Sequence, residues 1–189
     1  SGFTAITDEI GHGAVTEILR NFYATIGEAV AKNGGYVDKY IGDAVMALFG
    51  VFKEDNPDTY YRNAHQCIAA ARLVAAASHH FRLNHVEPVL RKYSTRFGGA
   101  DISKMGRVRI GCESGMVDIV RFQRGNESEI TVVGTAVNIA ARVMAKAGAD
   151  EIWIGENLNS LAGGANVAES KPVEHKNLPG TFQIHRVRV

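Results

Sequence analysis

Two stretches of the sequence carry side chains whose types and spacing suit work on a metal ion or an anion. In Asp38-Lys39-Tyr40-Ile41-Gly42-Asp43 a carboxylate follows a glycine, with a lysine four residues upstream. Carboxylate oxygen is the hard donor a divalent cation prefers, and an ammonium can reach a phosphate or a purine edge. Spacing alone also allows a plainer reading: a turn aspartate bonding its own backbone and a solvated strand lysine. The second stretch is Thr131-Val132-Val133-Gly134-Thr135-Ala136-Val137-Asn138-Ile139-Ala140-Ala141-Arg142. Asn138 and Arg142 are four apart and share one helix face, so an amide and a guanidinium can approach the same anionic group. Thr131, Asn138 and Arg142 interrupt an otherwise apolar run, which favours a polar pocket over a face simply wetted by solvent.

The elements that must hold these residues follow from periodicity. Val15, Ile18, Leu19, Phe22, Ile26 and Val30 recur at helical steps and predict an amphipathic helix over 13–30, stopped by Asn33-Gly34-Gly35. Residues 36–49 read as a hairpin turning at Gly42-Asp43, which puts Asp43 at its tip. A second helix is predicted over 60–82 through Ala64, Ile68, Ala71, Val74 and Ala75. Residues 84–106, with Pro88, Arg91-Lys92 and Gly98-Gly99, read as a long loop or flap. Strands are expected over 108–120 and 129–133 about a Gly125-Asn126 turn, then a helix over 135–147 ended by Gly148. A buried strand at Ile152-Trp153-Ile154, a short helix over 156–161 and a closing strand over 182–189 complete the order. In that last strand Gln183, His185 and Arg186 are expected outward or at the rim. Helices interspersed with strands predict an α+β sandwich, a mixed sheet covered by helices.

The 189 residues suit one domain with a full core, and 46% hydrophobic with 22% charged residues excludes a disordered or collagen-like chain. Lys+Arg 21 against Asp+Glu 20 leaves +1, too balanced for a general polyanion binder, so no nucleic acid partner is expected. Cys67 and Cys112 form neither a zinc pattern nor a disulfide framework, which suits a reducing cytoplasm. No apolar run approaches the roughly 18 residues of a membrane helix. His79-His80 and His85 lack a partner at ligand spacing and read as a solvated helix end.

Taken together, Gly2 to Thr7, Gly34 to Asp43, Arg109-Ile110-Gly111 and Val133 to Arg142 resemble, in order over nearly the whole chain, the class III nucleotidyl cyclases, the adenylate and guanylate cyclases. The resemblance implies a ferredoxin-like α+β fold, a head-to-tail homodimer, and active sites that take residues from both subunits. It implies a metal ligand at Asp43, holding two Mg²⁺ or Mn²⁺ ions on the nucleotide. Gly2, Phe3 and Thr4 match the turn whose amides cradle the triphosphate, as a helix N-terminus can. Lys39 matches the base-selecting lysine and Thr131 its partner; guanylate cyclases of the family usually place Glu and Cys there, so ATP is the implied substrate. Asn138 would orient the ribose and Arg142 would stabilise charge on the α-phosphate from the other subunit. Arg109 and Lys176 resemble phosphate contacts. The reaction implied is ATP to 3′,5′-cyclic AMP and pyrophosphate.

The pattern is incomplete in three places. The family's first metal aspartate would precede Ser1, which points to an N-terminal strand missing from a single catalytic domain over 1–189. Thr135 stands where the family commonly has Asp, and Val120 where a glycine is often found. The alternative reading is a catalytically degenerate cyclase-like module that binds a nucleotide or regulates a partner. Either way the domain is expected in the cytoplasm, as the output of a longer sensor or membrane-anchored protein with a regulatory domain in the same chain.

Overall fold

A computed structural model describes residues 7, 11–51, 53, 56–92, 106–125, 127–164, 166–174 and 181–189. Helix α1 (His12–Lys32) leads into the hairpin β1 (Tyr36–Ile41) and β2 (Ala44–Leu48), followed by α2 (Pro57–Phe81). A π turn (Arg82–Val86) and α3 (Glu87–Lys92) come next, then β3 (Arg109–Cys112) and the hairpin β4 (Asp118–Arg124) and β5 (Glu127–Val133). The chain closes through α4 (Thr135–Lys146), β6 (Glu151–Gly155), α5 (Glu156–Leu161), β7 (Val167–Glu174) and β8 (Thr181–Val187). This is the α+β architecture expected.

The main sheet runs β3-β6-β8-β7, with β3 parallel to β6 and the other pairs antiparallel. Ile152 and Ile154 of β6 face Ala64, Ile68, Ala71 and Ala75 of α2, while Trp153 between them faces Val143 of α4 and Ala147 just past its end. A strand covered on both faces must be apolar at successive positions, which is why Ile-Trp-Ile shows no alternation. Ile152, Ile154 and Val143 each contribute about 1.5–3 kcal/mol by leaving water. α4 rests on β3 at Gly111, where an added Cβ would stand 2.2 Å from the backbone N of Met144. Only a glycine permits that approach, and it fixes the helix carrying Asn138 and Arg142 against the sheet.

Three details differ from the sequence reading. Residues 84–92 are helical rather than loop: Pro88 sits second in α3, just after the wide π turn, where its missing N–H costs little. Val86 there is fully buried with Val15, Ile18 and Phe81, which anchors the segment. The remainder of the supposed flap, 93–105, lies outside the described residues. Strand β7 escaped notice because Glu169, Ser170, Lys171 and Pro172 read as loop; at the sheet edge a proline is tolerated. His185, expected outward or at the rim, is 8% exposed, because β8 is an inner strand. Its ring nitrogens are each satisfied, Nδ1 with Ser170 Oγ at 2.8 Å and Nε2 with Glu156 Oε2 at 2.8 Å.

Candidate active site

The β1–β2 hairpin packs on α1 and turns through Gly42-Asp43 between the paired Ile41 and Ala44. Gly42 takes a φ of 59° while Asp43 stays in ordinary space, the pattern of a two-residue hairpin turn with glycine first. Asp43 is therefore exposed at the tip, as its place in the sequence predicted. Tyr23 of α1, which sequence reasoning missed, braces this tip. Its hydroxyl donates to the Gly42 carbonyl and its ring lies 4.3 Å from that of Tyr40. Burial, then the Asp43 carboxylate and Tyr40, push the Tyr23 hydroxyl above its usual range, so it remains a donor throughout the neutral range. The one available signal was an aromatic polar residue off the apolar stripe of an amphipathic helix.

Ninety-odd residues downstream in sequence, β5 brings Thr131 to the same hairpin. Lys39 Nζ donates to Thr131 Oγ1 at 2.7 Å, and Thr131 Oγ1 in turn donates to Asp38 Oδ2 at 2.9 Å. Lys39 Nζ also lies 3.4 Å from Asp38 Oδ2 and 3.7 Å from Glu129 Oε1. Successive strand side chains ordinarily point to opposite faces. Here the register slips between Val37 and Lys39, so that Asp38 is an extra residue on β1, a bulge that turns both Asp38 and Lys39 toward Thr131. The Asp38 side chain is 2% exposed and Thr131 is 7% exposed, whereas Lys39 keeps 30% of its side chain open to solvent. Val120 lies directly opposite Thr131 in the β4–β5 ladder. The result is a small polar cluster with one accessible ammonium at its mouth, suited to reading a hydrogen-bonding edge.

Asn138 and Arg142 lie on α4, a helix seated on β3 and β6 rather than on the hairpin. Asn138 is exposed and Arg142 half-buried. Among the described residues no hydrogen bond joins either to Lys39 or Thr131. Arg142 Nη1 is shielded from water and has no hydrogen-bond partner among the described residues. Arg109 opens β3 at the sheet edge, exposed and in register with Glu151. Gly2, Phe3, Thr4 and Lys176 lie outside the described residues.

Among the described residues no three His, Cys, Asp or Glu side chains gather into a ligand cluster. An exposed hard carboxylate such as Asp43 nevertheless fits Mg²⁺, which is commonly held by one or two carboxylates together with substrate phosphates and water.

The catalytic-domain model of adenylate and guanylate cyclases matches residues 1–186. The chain belongs to this family. An adenylate cyclase of Anabaena cylindrica is 29% identical over 142 residues, 75% of this chain and 24% of that protein. The cyclase domain thus spans about a quarter of that relative's length. Among solved structures it is similar to the guanylyl cyclase Cya2, with a TM-score of 0.78, 19% identity, and coverage of 98% of this chain and 86% of that one. It is also similar to the adenylyl cyclase CyaB from P. aeruginosa, at 0.75 and 24%, with coverage of 100% and 89%. The fold is thus shared with cyclases of both base specificities, and the base must be read from the cyclase domain's own side chains. None of its described helices is long and apolar enough to cross a membrane.

Because Tyr23 holds the turn rather than any ligand, Tyr23→Phe is expected to remove about 1 kcal/mol of support from the tip. A rise of a few-fold in the Mg²⁺ concentration needed for half-maximal turnover, with kcat at saturating metal little changed, is the expected reading of a metal titration.

Proposed function

We propose that this cyclase domain converts ATP to 3′,5′-cyclic AMP and pyrophosphate, as a head-to-tail homodimer whose two sites each draw on both subunits. The observation that supports ATP is the Lys39–Thr131 hydrogen bond, a cationic donor joined to a hydroxyl across 92 residues of sequence. Adenine presents an acceptor at N1 beside a donor at N6, and this pair offers the complementary donor and acceptor.

In this reading the domain's own residues divide the work. Lys39 and Thr131 hold the adenine edge, and with the base fixed the ribose is aimed. Asn138 of the second subunit orients the ribose so that its 3′-hydroxyl lines up with the α-phosphorus. Arg142 of the same α4 directs N–H donors at the α-phosphate, where negative charge builds during in-line displacement of pyrophosphate. Arg109, Lys176 and the amides of Gly2, Phe3 and Thr4 would contact the phosphates. Asp43 would hold Mg²⁺ or Mn²⁺, two ions per site on the family pattern, which lower the pKa of the 3′-hydroxyl and screen phosphate charge when bound.

The dimer is supported by the apolar surface left uncovered. Met116 is 88% exposed, Phe122 54%, Val133 52% and Ile130 51%, all on or beside the β4–β5 hairpin. Phe122 and Val133 share one face of the hairpin and Ile130 lies on the other, and so many exposed apolar side chains on one two-stranded element favour a partner surface over solvent. A second copy would cover them and carry its α4 to the first copy's hairpin. The same reading makes the domain the output of a longer cytoplasmic or membrane-anchored chain under a regulatory domain.

Lys39→Glu combined with Thr131→Cys tests the base assignment. The ratio of kcat/KM for ATP to that for GTP is expected to fall by at least about a hundredfold, since a mismatched buried hydrogen-bonding edge is strongly rejected. An unchanged ratio would place base selection elsewhere.

A further inference from the structure

Resting on the proposed ATP reading, the geometry points to Asp38 as a specificity-determining positioning residue: by taking the single proton of the Thr131 hydroxyl, it leaves Thr131 able only to accept a hydrogen bond from the nucleobase.

A threonine hydroxyl carries one proton and two lone pairs, and in general it turns to suit whatever faces it. For that reason a free Thr accepts from the amine of adenine as readily as it donates to the carbonyl O6 of guanine, and discriminates poorly. Thr131 lacks this freedom. Its proton points to Asp38 Oδ2 at 2.9 Å, and an ionised carboxylate can only accept. One lone pair faces Lys39 Nζ at 2.7 Å, and Lys39 has only donors to offer. What remains for a base is acceptor capacity alone, which attracts an exocyclic amine and repels a carbonyl oxygen. The carboxylate that imposes this is 2% exposed, so water does not compete for the proton. Asp38 Oδ2 also lies 3.4 Å from Lys39 Nζ, so the same oxygen orients both halves of the reading pair. The bulge at Asp38 makes the arrangement possible: a regular strand would send the carboxylate and the ammonium to opposite faces. Asp38 need not touch the nucleotide; it acts through Thr131.

The test uses the full-length protein, with kcat/KM measured separately for ATP and GTP. In Asp38→Ala the ATP-to-GTP ratio is expected to fall at least about tenfold, with the ATP value dropping and the GTP value held or raised. Asp38→Ser, which keeps the position polar but can itself donate to Thr131, is expected to lower the ratio similarly if the alanine variant fails to fold. Asp38→Asn is expected to retain most of the selectivity, because its amide oxygen can still accept from both Thr131 and Lys39. The ratio in Asp38→Ala with Thr131→Ala should match that in Thr131→Ala alone. A purely structural role would depress both kcat/KM values together, and an unchanged ratio in folded Asp38→Ala and Asp38→Ser would overturn the inference. A wild type that favours GTP would overturn it too. Absence of any cyclic nucleotide from the wild type would instead remove the cyclase reading on which it rests.

Discussion

Asp43→Ala is expected to lower metal-dependent cyclic nucleotide formation by at least about a thousandfold, as the loss of several kcal/mol of metal-derived stabilisation requires. The fold should be unaffected. Asp43 stands exposed at a two-residue turn whose conformation is set by Gly42 and braced by Tyr23 at the backbone, two supports that Asp43→Ala leaves in place. Exposed substitutions of this kind usually change stability by less than about 0.5 kcal/mol. Turnover across a Mg²⁺ and Mn²⁺ titration, with a thermal melt beside it, checks both halves. Turnover close to wild type would show that the metal is held without Asp43.

Arg142→Ala is the second large effect. A guanidinium that meets charge appearing only in the transition state should leave KM for ATP within a few-fold while kcat falls about 10²–10⁴-fold. The chemical reason is that a planar guanidinium presents paired N–H donors that match phosphate oxygens. Because Asp43 and Arg142 of one site would come from different subunits, an equal mixture of the two dead variants should regain roughly a quarter of wild-type activity after subunit exchange: half the dimers are mixed, and each of those keeps one undamaged site. No recovery from confirmed mixed dimers would contradict the shared site.

Much of this architecture was legible in the sequence, for reasons that can be named. Helices α1, α2 and α4 bury one stripe each, so Val15, Ile18 and Val30, or Ala64, Ile68, Ala71 and Ala75, repeat at helical steps. The tip at Gly42-Asp43 was readable because a two-residue hairpin turn demands glycine chemistry. What escaped depended on context that no local pattern carries. His185 looks polar and is buried, because an inner strand and two satisfying partners make room for it. β7 looks like a loop because an edge strand may carry Ser, Lys and Pro. Most telling is Asp38, which by strand alternation should face away from Lys39. The bulge cancels that rule, and the carboxylate of an apparently ordinary strand position becomes the hydrogen-bond partner of a threonine far along the chain.

The most direct measurement is product identity. Purified full-length protein, incubated with Mg²⁺ or Mn²⁺ and with ATP or GTP separately, is expected to yield 3′,5′-cyclic AMP and pyrophosphate from ATP and little cyclic GMP from GTP. Cyclic GMP as the main product, or no cyclic nucleotide from either triphosphate by a folded dimer, would contradict the account.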